Sequence, residues 1–471
     1  MSHISDKLKK SYSKKLLKYQ ITHTENIIRI IRTNNSVLDA SDTGTGKTYT
    51  AIASCAQLGF EPIIICPKTV MANWRIVCEY FEISKYLIVN YETIRLCKYY
   101  VGDKRIKYKY LKYYPQTNNT IEKFVWNHTE MSPNTVFIFD EAHKCSDIGT
   151  LNAKLLLSAK MTTNFPLILL SATISDNTEK FKLFFYILNF IDKQTVEANN
   201  IDFVSYMRIV EQWMSREAKP MVRIHRMLYP ARASRMSIDV LGDLFPQTQI
   251  VAQPYTMGRK EERLIEKEYQ TISQCLEELS DKRKADKGNP LVRILRARQK
   301  IELLKIPTFV ELAKDYISEG FSVVVFVNFT NTLQSIAKML STDCLIYGEQ
   351  SDSEREKNIN NFQSNKSNII ICNIRAGGVG ISLHDIHGKH PRVSLISPTF
   401  SSIDLTQALG RIHRANGMSK SLQRIIYCAG TVEEKIADKV RIKLRDMGNL
   451  NNGDLDLSNI VYQNNPMSAA V

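Results

Sequence analysis

One short string near the start of the chain constrains its fold more than any other. Ser36-Val37-Leu38-Asp39 reads as a buried strand, Ser41-Asp42-Thr43-Gly44-Thr45-Gly46-Lys47-Thr48 follows it, and a helical pattern runs from Thr48 to Leu58. Strand, glycine loop and helix stand in the order that a phosphate-binding loop demands. Gly44 and Gly46 let the backbone approach phosphate oxygens, and the helix N-terminus supplies N–H donors. Lys47 reaches the β- and γ-phosphates, and the Thr48 hydroxyl suits Mg²⁺. The strict pattern has Gly at position 41, where this chain has Ser. Taken alone, the string also fits a Gly/Thr loop that only caps a helix.

The rest of the chain can house such a loop. Short β-branched runs bounded by turn residues recur at Pro62–Cys66, Tyr86–Val89, Thr135–Asp140 and Leu167–Leu170, with helical patterns such as Asn73–Phe81 between them. Strands alternating with helices predict an α/β fold with a parallel sheet. The same grammar returns at Val323–Val327, Cys344–Tyr347, Ile369–Asn373, Arg392–Ile396 and Ile425–Cys428. A length of 471 residues suits two to four domains. The expected division is a nucleotide-binding lobe over 1–200 with a basic lead-in and a mostly helical insertion over 201–290. A second α/β lobe follows over 291–445, then a flexible tail over 446–471.

Val136-Phe137-Ile138-Phe139-Asp140-Glu141-Ala142-His143 supplies the second half of a nucleotide site. An Asp-Glu pair after a strand is usually an N-cap. Behind a phosphate loop it reads as Asp140 holding Mg²⁺ and Glu141 orienting or deprotonating the attacking water. Charge developing on the γ-phosphate requires a cation. Gln407-Ala408-Leu409-Gly410-Arg411-Ile412-His413-Arg414 places two arginines at i and i+3, on one helical face. Lying in the second lobe, they would reach the nucleotide only across an interlobe cleft, and by spacing alone they are equally a surface pair.

Lys plus Arg (63) exceeds Asp plus Glu (48), a net charge of +15, and the excess is concentrated. Residues 1–20 carry six Lys against Asp6, residues 98–114 six cations against Asp103, and residues 281–305 nine against Asp281, Asp286 and Glu302. Each segment alone fits a solvated face; three together point to a polyanionic partner, nucleic acid first. Tyr99, Tyr100, Tyr108, Tyr110, Tyr113 and Tyr114 interleave the second patch, either to stack bases or to pack on the lobe. No apolar run approaches the ~18 residues of a membrane span, and the N-terminus lacks a secretory pattern. Nine singly scattered Cys with no C-x-x-C pair suit a reducing intracellular compartment. His384, His387 and His390 recur every third residue but flank Gly388 and Pro391 without Cys partners, which does not predict a metal site.

Together these strings resemble a superfamily 2 nucleic-acid-dependent ATPase with two RecA-like lobes, and more narrowly its Swi/Snf-type branch. Lys18-Tyr19-Gln20 is similar to the adenine-reading Gln element, Cys66-Pro67-Lys68-Thr69 through Asn73-Trp74 to motif Ia, and Asn90-Tyr91-Glu92 to the segment after it. Ser171-Ala172-Thr173 resembles motif III, and the stretch from Ile174-Ser175-Asp176-Asn177 to Leu188-Asn189-Phe190 favours the Swi/Snf branch. In the second lobe, Phe326-Val327-Asn328-Phe329 resembles motif IV, and Gly348 with Ser353-Glu354-Arg355 and Phe362 resembles the segment before motif V. Arg375 to Leu383 resembles motif V, Gln407 to Arg414 motif VI, and Gly430-Thr431-Val432-Glu433-Glu434-Lys435 the closing element. Three departures stand out: Thr173 in place of a Gly-Thr-Pro, Ala415-Asn416-Gly417 in place of a Gly-Gln ending, and a loose match to a basic stretch over 216–250. With no room for chromatin-reading domains, they mark a compact, divergent member, in keeping with a viral source.

The resemblance implies a P-loop NTPase fold with ATP and Mg²⁺ between the lobes. Gln20, Asp42, Thr43, Gly44, Thr45, Gly46, Lys47, Thr48 and Gly380 would bind ATP, Thr48 and Asp140 the metal, and Lys47, Asp140, Glu141, Arg411 and Arg414 would be catalytic. Lys68, Thr69, Asn328, Arg375 and Ser382 would touch nucleic acid, and Ser171, Ala172, Thr173, Gln407 and His413 would couple hydrolysis to movement. The expected function is an ATP-dependent translocase or helicase acting as a monomer on DNA in preference to RNA, in cytoplasm, nucleus or a virion. A strand-separating RNA helicase is the alternative, favoured by Ser171-Ala172-Thr173 and the Asp-Glu-Ala-His form. A non-catalytic nucleic-acid-binding scaffold is disfavoured by the full set of catalytic residue types.

Overall fold

The computed structural model describes residues 7–462 except 103, 116–122, 173, 176, 238–240, 242–247, 281–287, 378–380, 400, 415–416, 430, 432 and 434–459. The described residues fall into two compact units, one holding those up to Leu241 and the other those from Thr248.

The strands of the first lobe are β1 (Ser36–Asp39), β2 (Glu61–Cys66), β3 (Leu87–Asn90), β4 (Lys98–Val101), β5 (Lys104–Lys107), β6 (Leu111–Tyr114), β7 (Lys123–Trp126), β8 (Thr135–Asp140), β9 (Leu167–Leu170) and β10 (Ala233–Ser234). Six form a parallel sheet in the order β10-β1-β9-β8-β2-β3. The other four make two antiparallel hairpins, β4 with β5 and β6 with β7. Continuous apolar runs are what a sheet covered on both faces requires, because successive side chains point to opposite sides. Leu38, Ile63, Ile65, Phe137, Phe139 and Leu169 enter one core cluster, while Val37, Ile64, Val136, Ile138 and Ile168 enter the other. Ile27, Ile30 and Ile31 of the Lys18–Asn34 helix and Trp74 and Val77 of the Met71–Tyr80 helix cover the second face.

The second lobe repeats this plan with β11 (Thr248–Tyr255), β12 (Ser322–Val327), β13 (Leu345–Ile346), β14 (Ile369–Asn373), β15 (Arg392–Ile396), β16 (Ser421–Cys428) and β17 (Ile460–Tyr462). They form a parallel sheet in the order β13-β14-β12-β15-β16-β11-β17. Val323, Val325, Ile369, Ile371, Val393 and Leu395 face one cluster, and Val324, Phe326, Ile370, Cys372 and Ile396 the other.

The 201–290 segment is mostly helical, with helices Phe203–Ser215, Pro220–Leu228 and Arg259–Ser280, but it is not one body. Its first part ends in β10, which joins β1, and its second part begins with β11, which joins β16. Ile265, Tyr269 and Ile272 bury into the second lobe's core. Within the expected tail, Ile460–Tyr462 pairs with β11 as an outer strand.

A buried polar network ties the second lobe's helices to its loops. Glu302 accepts Asn328 N (2.8 Å), Asn328 Nδ2 (2.7 Å), Ser397 Oγ (2.7 Å) and Phe329 N (3.0 Å). Glu433 pairs with Lys305 at 2.6 Å, both side chains being 2% exposed, and accepts Tyr269 OH and Cys428 N. Removing one partner of a buried pair strands the other charge. Glu433→Ala should therefore lower the unfolding free energy by about 3–5 kcal/mol in urea titrations. Lys305→Met with Glu433→Leu should regain most of that loss; an unchanged midpoint in the single variant would show that the pair adds nothing.

Candidate nucleotide-hydrolysis site

Parallel register places three loops side by side. Leu170 of β9 stands opposite Asp39 of β1 and also opposite Asp140 of β8. The loops after Asp39, Asp140 and Leu170 therefore leave the sheet at one level, at its C-terminal edge. Lys68 and Thr69, in the turn after β2, and Asn90, at the end of β3, share that edge.

Gly44 and Gly46 adopt φ of 86° and 95°, the left-handed region open to glycine. A Cβ on Gly46 would also collide with Gln20 Nε2. Gln20 is buried; its Nε2 donates to Thr45 O at 2.9 Å and its Oε1 accepts from Leu17 N. Tyr19 OH donates to the same Thr45 carbonyl at 3.2 Å, so the Gln element braces the loop directly. Lys47 Nζ crosses the loop to Ser41 O (2.7 Å) and Asp42 O (3.1 Å). Thr43 and Thr48 are half-buried beside it.

The departure at Ser41 has a structural cause. Its hydroxyl accepts the Met236 N–H at 2.8 Å and lies 3.3 Å from His23 Nε2. His23 pairs with buried Asp39 at 3.0 Å, and its Nδ1 lies 2.8 Å from Ser234 Oγ. Burial pushes the Asp39 carboxyl up, but the His23 charge and hydrogen bond, Lys47 and Ser41 together hold it below the usual carboxylate range. Arg235 reaches Asp42 Oδ1 at 2.7 Å. His23, Ser234 and Arg235 were absent from the expected site. The one sequence signal for Ser234 and Arg235 was the loose basic stretch around Arg232-Ala233-Ser234-Arg235-Met236, and His23 had none.

Asp140 is held from three sides. Trp74 Nε1 donates to Oδ2 at 2.9 Å, Glu141 N to Oδ1 at 2.9 Å, and Tyr91 OH to the backbone carbonyl at 2.8 Å. Burial, then the Glu141 charge, push its pKa up to about 6 against the Trp74 bond and Lys47. Glu141 sits at φ 54°, strained for a residue with a Cβ. His143 Nδ1 lies 3.3 Å from Glu141 Oε2 and 3.2 Å from Ser171 Oγ, linking the acidic pair to the loop of Ser171 and half-buried Ala172. Thr173 and Gly380 lie outside the described residues.

In the second lobe, the Ser402–Leu409 helix ends at Gly410, so Arg411 and Arg414 do not share a helical face as expected. They share an acceptor instead: Arg411 Nη1 and Arg414 Nη2 both donate to Ile381 O, at 3.1 and 3.0 Å. Gln407, Arg411 and His413 are buried. The Asn328 amide donates to Glu302, Ser397 and Pro398 O, which fastens the loop inside its own lobe. Arg375 is exposed, with Nε 3.7 Å from Asp404, and the Ser382 carbonyl accepts Gln363 Nε2. The histidine-rich loop wraps around Asp385, whose carboxylate accepts the backbone N–H of His387, Gly388 and His390. Among the described residues no group of three His, Cys, Asp or Glu is placed to hold a metal ion.

Residues 21–181 match the DEAD/DEAH box helicase family, and residues 305–416 match the helicase conserved C-terminal domain. The chain is 40% identical, over 94% of its length and 85% of the relative's, to protein L364 of Acanthamoeba polyphaga mimivirus, whose name provisionally assigns it as an ATP-dependent RNA helicase. The chain belongs to the DEAD/DEAH-box helicases of superfamily 2. This helicase is therefore an ATP-binding, nucleic-acid-binding ATPase. It is also 22% identical, over 92% of its length, to the Mus musculus chromodomain-helicase-DNA-binding protein 1-like, of which it spans 49%. The Sulfolobus solfataricus SWI2/SNF2 ATPase core in complex with dsDNA is 15% identical over 92% of this chain and 94% of that one, with a TM-score of 0.36. Among the described residues of the helicase no helix is long and apolar enough to cross a membrane.

Two outcomes follow from the site's electrostatics. A carboxylate whose folded pKa lies above its unfolded value costs stability, fully above about pH 6 and progressively less as pH falls toward 4. Asp140→Asn should raise the thermal midpoint at pH 7.5, by a gain on the order of 1–3 kcal/mol, and give no gain near pH 4; an equal shift at both pH values would refute this origin. Ser41→Gly restores the strict motif yet strands the Met236 N–H, so it should cost roughly 1–3 kcal/mol. A neutral or stabilising result in the same melt would show that the hydroxyl is idle.

Proposed function

We propose that this helicase hydrolyses ATP to move along DNA and remodel duplex or protein–DNA contacts, acting as a monomer. The observation that carries the reading is the single crest on which Lys47, Asp140, Glu141 and Ser171 meet, with His143 bridging the last two. Lys47 would neutralise the β- and γ-phosphates, and Glu141 would orient and deprotonate the attacking water. Gln20 and Tyr19 would keep the loop's N–H groups aimed at phosphate by fixing Thr45. The oxygen donors of Thr48 and Asp140 suit a hard cation, and they would hold Mg²⁺, which supplies charge neutralisation on the phosphate oxygens. Arg411 and Arg414 would add positive charge as the γ-phosphate leaves. A change at the γ-phosphate would reach Ser171 through Glu141 and His143, and from there the phosphate contacts assigned to Lys68 and Thr69. Backbone contacts of this kind hold a strand without reading its sequence.

Motif order and the similarity to a chromodomain-helicase-DNA-binding protein favour DNA. The His143–Ser171 link and the name of the mimivirus relative favour the second reading, a strand-separating RNA helicase. Nine buried free thiols support an intracellular, reducing location.

Glu141→Gln should lower turnover by about 10²–10⁴-fold while leaving ATP binding intact by fluorescent-nucleotide titration; unchanged turnover would sink the mechanism. Stimulation of hydrolysis should be greatest with duplex DNA when single-stranded DNA, duplex DNA, single-stranded RNA and duplex RNA are compared at two salt concentrations. A preference for RNA would transfer the assignment to the second reading.

A further inference from the structure

We propose that the two hairpins after β3 form a separate, sequence-independent grip on nucleic-acid backbone, an inference that rests on the nucleic-acid-dependent reading above. Lys98, Lys104, Arg105, Lys107, Lys109 and Lys112 are all exposed there, and none makes an ion pair with a described carboxylate. The β4–β5 ribbon is anomalous as structure: β5 is exposed along its whole length, and Lys98 stands directly opposite Lys107. A two-stranded ribbon is marginal in water, and like charges directly opposite weaken it further. A polyanion laid on the ribbon reverses that penalty.

The inner side explains why the cations are free to serve. Tyr108, Leu111, Phe124 and Trp126 are buried in the first lobe's core. Tyr108 meets Tyr99, Tyr110 and Trp126 edge-on, and Trp126 meets Phe137 of β8 at 4.6 Å. This aromatic ladder roots the hairpins to the sheet through Tyr99, Tyr108 and Tyr110, while Tyr113 and Tyr114 stay exposed. The outer side carries six cations beside Tyr113 and Tyr114, and residues 98–114 contain no Asn or Gln to read adenine edges. Alternate residues on a strand stand about 6.8 Å apart, close to the advance of two nucleotides along one strand, about 3.4 Å each. The Tyr91–Ile94 turn and the three residues after it separate the ribbon from Asn90, on the edge that also carries Lys68 and Thr69. That continuity favours a nucleic-acid strand over a membrane surface, although Leu96, Val101 and Ile106 are exposed among the cations.

The test is the affinity for a fluorescein-labelled 30-base-pair DNA duplex without nucleotide, measured from 50 to 200 mM NaCl. The hairpin triple Lys104→Gln, Arg105→Gln, Lys107→Gln is compared with a charge-matched triple on the second lobe, Lys314→Gln, Lys357→Gln, Lys366→Gln. Each phosphate contact contributes about 0.9 to the slope of log affinity against log salt. The hairpin triple should lose roughly two to three units of slope and keep its turnover at saturating nucleic acid, while the control keeps the wild-type slope. Equal slopes for the two triples would overturn the proposal. So would a hairpin triple that loses binding to phosphatidylserine vesicles but not to the duplex. If no nucleic acid stimulates wild-type hydrolysis while the hairpin triple still loses slope, the translocase reading fails and the grip stands.

Discussion

Everything in the first lobe depends on how β9 pairs with its neighbours. Parallel strands have no freedom to stagger once Leu170 faces Asp39 on one side and Asp140 on the other. The glycine loop, the acidic pair and the Ser171 loop then emerge together because the backbone ladder puts them there. A one-residue slip would exchange the side chains packed into the two core clusters, so the fit of both covering layers holds the ladder in register.

On that crest two aspartates experience opposite fields. Asp39 lies beneath the phosphate loop, and His23, Lys47 and Ser41 keep it ionised despite burial. Asp140 is less fully enclosed but faces Glu141, and one indole N–H with one backbone N–H does not offset that neighbour. The first is a structural anchor for the loop, whereas the second stores an electrostatic cost where a metal-bound substrate would relieve it.

The legible parts were those with local signals. The long apolar strands, the glycine loop and Asp140-Glu141 could be read directly, because burial on both faces and a φ above zero restrict residue type. Strand β10 could not: it is two residues, Ala233-Ser234, with no pattern of its own. Its hydrogen bond to His23 joins residues 211 apart in the chain. The arginines of 411–414 were misread for a local reason, since the helix stops at Gly410 and helical spacing ceases to apply. The partner of the Asn328 amide could not be read locally, because Glu302 is distant in sequence.

Sequence alone determined that this chain contains two parallel α/β lobes and the motifs proposed to hydrolyse nucleotide, because each of those features is written in contiguous residues. It also determined how much positive charge lies near residues 98–114. Only the tertiary structure decided that Ser41 is tied to Met236, that Trp74 grips Asp140, and that Tyr108 of the hairpins turns inward while the cations turn out. Those outcomes are pairings between distant segments, and a pairing is fixed by which surfaces packing brings together, a quantity that no local pattern of residues contains.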